Sequence, residues 1–369
     1  MRLVIISTTI HGEKGYLPFD RLLKGSKFTD AMFVIAGDVG AAPFDTSRFQ
    51  CPIEYLDVEA QKRFHISETI GWKTPRRRPI AWLRAIELKP DYILSVDDDN
   101  IPADDYFDRW YEVLMRPVKK VVIQEEENSG KWHNYLRSAD APFEMYPRGF
   151  PIPFRKNTKT FIVDSPAAIF PSRVGLYQGI SLGDPDIDAV TRLVYPKPMP
   201  LSSIKEKNYC LKDIWSPYNM QNTVFSKTLF GLPILWPHVG RFDDIYASFT
   251  WQKLLFNNDM FVHVGDPVNR QDRGARDILN GDFREEVEGY FHSHHVWEAV
   301  SSIQEKEAPA FLEKLLGFDD GVENTVTRPV AYTALHSFFQ HPVANSPLAV
   351  LSRNRPFFNA YIRDIEKII

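Results

Sequence analysis

Apolar residues in the first third of the chain gather in short unbroken runs that close on polar or turn-forming residues. Leu3-Val4-Ile5-Ile6 ends at Ser7-Thr8-Thr9, and Ala31-Met32-Phe33-Val34-Ile35-Ala36 ends at Gly37-Asp38. Half-exposed strands would alternate, so runs like these predict strands buried on both faces. Ile53–Leu56, Tyr92–Val96 and Lys120–Ile123 continue the series. Between the runs the period becomes helical. One helix is predicted to start near Val58 and one at Pro79, with Ile80, Leu83, Ile86 and Leu88 on its apolar face. A third is predicted from about Asp104 to Leu114. Strands alternating with helices predict an α/β fold with a mostly parallel sheet covered on both faces.

The pattern then changes. Between residues 142 and 200 prolines are dense and helical periodicity is weak, which predicts loops and short strands. Ile245, Phe249 and Leu255 restore a helix over about 244–255, and Phe261-Val262-His263-Val264-Gly265 reads as a late strand. Further on, Phe311-Leu312, Leu315-Leu316, Ala334-Leu335 and Phe338-Phe339 have helical spacing. The expected organisation is an α/β part over 1–200, a second part of the same domain over 201–285, and a helical region over 286–369.

Composition and charge narrow the classes. The chain has 44 basic and 48 acidic residues and a net charge of −4, which argues against a broadly basic nucleic-acid surface. Cys51 and Cys210 allow one disulfide at most, exclude a Cys-rich zinc module, and suit a reducing, cytoplasmic setting. No apolar run approaches the roughly 18 residues of a membrane span, and the polar Thr8-Thr9 so close to Met1 leads us to expect no signal peptide. A nucleophile elbow, a Walker phosphate loop and a Gly-x-Gly-x-x-Gly fingerprint are all missing from the sequence, which turns the reading away from serine-hydrolase, P-loop and nicotinamide chemistry.

The strongest local feature is Asp97-Asp98-Asp99, directly after the apolar run Tyr92–Val96. Carboxylates there lie at the carboxyl edge of a sheet, where open α/β folds bind ligands. A divalent cation relieves their mutual repulsion, and Mg²⁺ or Mn²⁺ commonly bridges such carboxylates to a substrate phosphate. The plainer alternative is a solvated loop capping the next helix. Arg76-Arg77-Arg78, after Lys73, precede the Pro79 helix, where guanidinium groups and a helix N-terminus can cradle a diphosphate. Ser7, Thr8, Thr9 and Asp38 end neighbouring strands and are candidates to hold a base and ribose. Asp243-Asp244 opens the later helix, as its cap or as a general base toward an acceptor hydroxyl. Asn222 is a candidate contact to sugar hydroxyls. His263 is either part of a metal shell or a core histidine, and His292, His294 and His295 read as a solvated cluster.

Taken in order, Asp97-Asp98-Asp99, Arg148-Gly149-Phe150-Pro151 through Phe154-Arg155, and Gly240-Arg241-Phe242-Asp243-Asp244 resemble the reversibly glycosylated polypeptides of plants, which include UDP-arabinopyranose mutases. Tyr55-Leu56-Asp57-Val58-Glu59-Ala60-Gln61 and the basic loop ending at Arg78 add a similarity to the glycosyltransferase domain of STELLO-type proteins. The likeness runs from about residue 1 to 275. It implies a glycosyltransferase A-type, Rossmann-like sheet that binds a nucleotide-sugar through a divalent metal. By position, Asp97 and Asp99 would be the metal-associated carboxylates and Asp98 would lie next to the donor sugar. Arg148 and Arg155 match two family arginines, Arg155 the one that becomes reversibly glycosylated. Asp243 and Asp244 match a second acidic pair that faces the acceptor. The chain departs from the mutases at Asn100-Ile101-Pro102 and at Tyr218-Asn219-Met220-Gln221, which line the expected sugar pocket.

The function expected on these grounds is a Mn²⁺- or Mg²⁺-dependent glycosyltransferase moving a sugar from a nucleotide-sugar, UDP-linked by resemblance, to a hydroxyl acceptor. Asp243, Asp244 and Arg155 would be its catalytic residues. The alternatives are a UDP-sugar mutase and an inactive scaffold of the same fold. The acceptor, the stereochemistry and the oligomeric state stay open.

Overall fold

The computed structural model describes residues 1–124, 131–140, 144–155, 159–195, 201–272, 277–317 and 349–369. Its strands are β1 (Arg2–Thr8), β2 (Asp30–Ala36), β3 (Ile53–Leu56), β4 (Tyr92–Val96), β5 (Asn100–Pro102), β6 (Val118–Gln124), β7 (Thr160–Ile169), β8 (Val174–Gly183), β9 (Tyr209–Leu211), β10 (Asn222–Ser226) and β11 (Phe261–Gln271). The helices are α1 (Leu17–Lys24), α2 (Val58–Gln61), α3 (Ile66–Ile70), α4 (Arg78–Glu87), α5 (Tyr106–Met115), α6 (Ala189–Val194), α7 (Asp243–Asn257), α8 (Arg284–Ser302), α9 (Ala308–Gly317) and α10 (Ala349–Ile365).

One sheet carries the strands in the order β3-β2-β1-β4-β10-β8-β11-β9-β6-β7, with β5 paired to β11. The first four are parallel, with Leu3 opposite Ala31 on one side and Tyr92 on the other. The unbroken apolar run of β1 is explained by burial on both faces. Val4 and Ile6 join Ile80, Leu83 and Ile86 of α4, while Leu3 and Ile5 join Phe19 and Leu23 of α1 and Trp110 of α5. This is the α/β architecture that the alternation of runs predicts, and the described residues after 284 are largely helical. Beyond β4 the sheet becomes mixed, because β10 enters antiparallel to both β4 and β8.

The region after residue 142 departs from expectation. Instead of short strands it holds β7 and β8, ten residues each. Pro166 hid β7, whose pairing with β6 is irregular between Val118 and Lys120. At the sheet's edge a residue without an N–H costs the ladder little. Of the predicted C-terminal helical positions, Phe311, Leu312 and Leu315 are buried in α9. Ala334-Leu335 and Phe338-Phe339 lie outside the described residues. His292 is buried on α8 rather than solvated, while His294 and His295 lie near Glu298. The C-terminal helix α10 is tied to the core through Tyr361, whose hydroxyl lies 2.8 Å from the Leu232 carbonyl and 3.0 Å from Trp82 Nε1 of α4.

Candidate functional site

β1 and β4 are parallel neighbours, so their carboxyl ends deliver Ser7–Thr9 and Asp97–Asp99 side by side. The chain reaches this point by winding outward from β1 to β3 and returning to β4 on β1's other side, which makes it the topological switch point of the parallel half. The three carboxylates take three different partners. Arg78 Nη2 donates to Asp97 at 2.5 Å, Thr9 Oγ1 donates to Asp98 at 2.6 Å, and Gln271 Nε2 donates to both oxygens of Asp99 at 3.0 and 3.1 Å. The loop before α1 lies directly over the triplet, since a Cβ at Gly15 would collide with the Asp98 carbonyl.

The basic loop divides into three different fates. Arg78, at the start of α4, also donates to Ser95 Oγ and the Met220 carbonyl at 3.1 Å each. Burial is the largest single influence and works against its charge, but Asp97, with Tyr16 and Asp244 adding to it, holds the guanidinium above its ordinary pKa. Arg76 reaches across to α7, donating to Asp243 at 3.1 Å and the Gly240 carbonyl at 3.0 Å. Arg77 turns inward, stacks on Trp72 and donates to Gln61, Ser67 and Gly71. Burial pushes it down to about 10. It is fully buried, so the expectation that it cradles a diphosphate is corrected: it is a strut under the loop.

Other candidates are also satisfied from within. Ser7 is buried, donating to the Val96 carbonyl at 2.6 Å and accepting from Tyr16, so it holds two strand ends together instead of a ribose. Thr8 Oγ1 donates to the Ala36 carbonyl. Asp38 accepts the backbone amides of Val39, Lys73 and Thr74, which fixes the basic loop to the sheet edge. Asn222 is sealed between Tyr106 and the Pro267 carbonyl, out of reach of a sugar. His263 is corrected as well. It pairs with Cys210 in the sheet, while the residue of β11 that meets Asp99 is Gln271, eight positions on and up to about 26 Å along an extended strand.

The second acidic pair belongs to a buried network. Arg148 spans Asp186, at 2.7 Å, and Asp244, at 2.9 Å, and also donates to the Arg241 carbonyl. Gly149 follows with φ of 85°, and a side chain there would strike Ile245 of α7, so the turn that presents Arg148 needs glycine. Burial holds the Asp244 carboxyl up, at about 6, with Arg148 pulling it down and Asp243 and Asp186 pushing it further up. Asp243 accepts from Arg76 and keeps some exposure. Arg155 lies over the Tyr146 ring and pairs with Asp188 at 3.2 Å. Asp186 and Asp188 carry half of these contacts and were missed as candidates. Their signal was present in Gly183-Asp184-Pro185-Asp186-Ile187-Asp188, an acidic turn directly after β8.

Among the described residues no three His, Cys, Asp or Glu side chains converge as a cation cage. Asp97 is already neutralised by Arg78, which leaves Asp99, the exposed member, with the Gln271 amide beside it. One exposed carboxylate, completed by diphosphate and water oxygens, fits a hard cation such as Mg²⁺ or Mn²⁺, and Gln271, whose N–H groups face Asp99, would release that contact to the cation.

The site is thus a polar, charge-segregated edge at the switch point of an α/β sheet. No protein-family model matches the chain. In sequence it is similar to UDP-arabinopyranose mutase 2 of Arabidopsis thaliana, 23% identical over 214 residues that cover 56% of this chain and 54% of the relative. UDP-arabinopyranose mutase 1 of Oryza sativa subsp. japonica is 22% identical over 209 residues, covering 55% and 52%. The chain spans about half the length of these curated relatives. Among solved structures, S. aureus TarS 1–349 in complex with UDP-GlcNAc aligns with a TM-score of 0.39 at 11% identity, over 100% of this chain and 91% of that one. No helix among the described residues is long and apolar enough to cross a membrane.

Proposed function

We propose that the chain is a glycosyltransferase that binds a nucleotide-sugar at the carboxyl edge of β1 and β4 and passes the sugar to a hydroxyl acceptor. The observation that carries this reading is the pairing of Arg78 with Asp97 at the switch point of the parallel strands, with Arg76, two residues earlier in the chain, pairing with Asp243. Similarity to UDP-arabinopyranose mutases supports a UDP-linked donor. In the reaction the acceptor oxygen bonds to the anomeric carbon, the bond from that carbon to the diphosphate breaks, and the nucleoside diphosphate leaves with the electron pair. Asp243, less enclosed than Asp244, takes the acceptor proton. Arg78 and Arg76 place fixed positive charge where the diphosphate gains negative charge. Asp99 would hold Mg²⁺ or Mn²⁺, which would add to that charge stabilisation. Free thiols at Cys51 and Cys210 agree with a reducing, cytoplasmic setting.

A second reading, a UDP-sugar mutase acting on its own donor, is favoured by the names of the curated relatives and by Arg155 at the matching position. Calorimetry with UDP-sugars, with and without Mn²⁺, tests the shared part of both readings: the expected result is saturable binding. Incubation with UDP-sugar alone then separates them. Ring-isomerised product establishes the mutase, and sugar transfer that requires an added hydroxyl acceptor establishes the transferase. No binding of any UDP-sugar overturns both and leaves the inactive scaffold.

A further inference from the structure

Away from the acidic edge, a cavity of about 350 Å³ opens between the C-terminal half of α5, the start of β6 and the turn around Lys207. That is within the size range of small-molecule sites, about 300–1,000 Å³. Its cationic lining comes from Arg109, Arg116, Lys119, Lys120 and Lys207. Two carboxylates also line it, and both are already engaged. Asp266 accepts from Lys207 and Asn208 and lies near Arg109, and Glu112 pairs with Arg116. Arg109 also pairs with Asp105 at 2.6 Å and Lys120 with Glu206 at 3.2 Å, so the cation of this lining without an ion pair among the described residues is Lys119. Positive charge is therefore left over in a chain whose total charge is −4.

The wall of the cavity also holds His263, 1% exposed, whose Nδ1 has no hydrogen-bond partner among the described residues. Buried polar atoms are normally paired; Nδ1 is itself enclosed, so a ligand in the cavity would reach it only if the ring turned. Burial pushes the ring down to about 4, against the pull of Asp266, so at neutral pH it is uncharged and has one N–H to donate. A phosphate group suits this lining, with lysine ammonium groups around it and a neutral donor behind.

We propose that this cavity is a second ligand site that takes the phosphate group of a small molecule. The source is either free inorganic phosphate or a phosphorylated sugar. The site is independent of the nucleotide-sugar reading, since none of its lining residues is in the acidic triplet or its partners.

The test is a thermal-unfolding titration of the full chain with inorganic phosphate, at ionic strength matched with chloride. A ligand of the folded state raises the midpoint. The expected result is a rise beyond that of chloride, with phosphate binding weakened about tenfold in Lys119→Glu/Lys120→Glu and unchanged in Asp99→Asn. Lys120→Glu puts a carboxylate beside Glu206 and across the ladder from Asp164, so the double variant should unfold at a lower midpoint than the parent without phosphate, and its phosphate response is read as the rise above its own midpoint. A parallel arm uses a hexose 1-phosphate and counts only the signal that the double variant removes. Tighter binding than inorganic phosphate assigns the site to a phosphorylated sugar, and equal binding assigns it to the free anion. A phosphate response no larger than that of chloride, or one fully retained in the double variant, overturns the proposal.

Discussion

Two charged clusters meet near the same end of the sheet and are built in opposite ways. In the Asp97–Asp99 loop each carboxylate has its own partner, the partners differ in kind, and Asp99 is open to water. In the Arg148 cluster two carboxylates share one guanidinium, and all three side chains are almost wholly enclosed. A carboxylate held only by amides at an exposed edge, Gln271 and more weakly Asn100 at 3.4 Å, can exchange those contacts for a ligand or cation at little cost. A sealed ion pair cannot, because breaking it leaves charge in a medium that does not solvate it. The first cluster is built to respond and the second to hold α7 against the loop after β8.

The sharpest test of this contrast is stability. Arg148→Met leaves the buried Asp186 with the more distant Arg241, at 3.8 Å, and Asp244 with no ion pair among the described residues, and should cost about 4 kcal/mol in denaturant unfolding. Asp97→Asn keeps an acceptor for Arg78 and should cost about 1–2 kcal/mol. If the two losses are equal, the distinction between strut and exchangeable edge fails.

Response to pH comes next in size and runs in two directions. Burial pushes His133 down to about 3 and His263 and His292 to about 4, from an ordinary 6.5. Between those values the unfolded chain binds more protons than the folded one. The stability these rings provide is therefore complete above pH 6.5 and is lost as pH falls toward 4, about 3 kcal/mol for His263 alone. Asp244 has the opposite sign. Its carboxyl is raised from 3.8 to about 6, so its contribution is greatest at acid pH and is lost as pH rises through that window. These three histidines, with His238 and His294 shifted the same way, against two raised carboxyls, Asp244 and Glu286, predict a net fall in the unfolding midpoint from pH 6.5 to 4. A flat profile would mean that the sealed network offsets the rings.

How much of this was legible beforehand depends on whether a residue's partner is near in the chain. The parallel strands were readable because burial on both faces leaves unbroken apolar runs, as in Leu3–Ile6. The acidic triplet was readable because it follows such a run directly. The fate of Arg77 was not, since its partners Gln61 and Ser67 come from α2 and α3, and three adjacent arginines look alike in sequence. Asn222 and His263 misled for the same reason: residue type suggested a ligand, while the strand pairing that buries them is set by segments far away. β7 was obscured by Pro166, whose missing N–H matters only in a central strand.

Gly15→Ala probes the responsive cluster without touching a charge. The added Cβ meets the Asp98 carbonyl, backbone that cannot rotate aside, so the triplet loop must shift. Overpacking of this kind costs about 1–3 kcal/mol. Its distinguishing effect should be on UDP-sugar affinity measured by calorimetry, which should fall while the Arg148 cluster keeps the far-ultraviolet circular dichroism of the parent. Unchanged affinity would detach the Asp98 backbone from the ligand site.

Asp99→Asn should be the mildest change to the fold and the most informative about the site. The side chain is exposed, it is not paired with a cation, and an amide of the same shape can still meet Gln271, so stability should stay within about 0.5 kcal/mol of the parent. What the substitution removes is charge, the property a divalent cation requires. If Asp99 anchors the cation, the parent should bind UDP-sugar more tightly with Mn²⁺ than with chelator, and the variant should show no difference between the two conditions. An equal Mn²⁺ effect in parent and variant would move the cation, and with it the responsive role, away from this edge of the sheet.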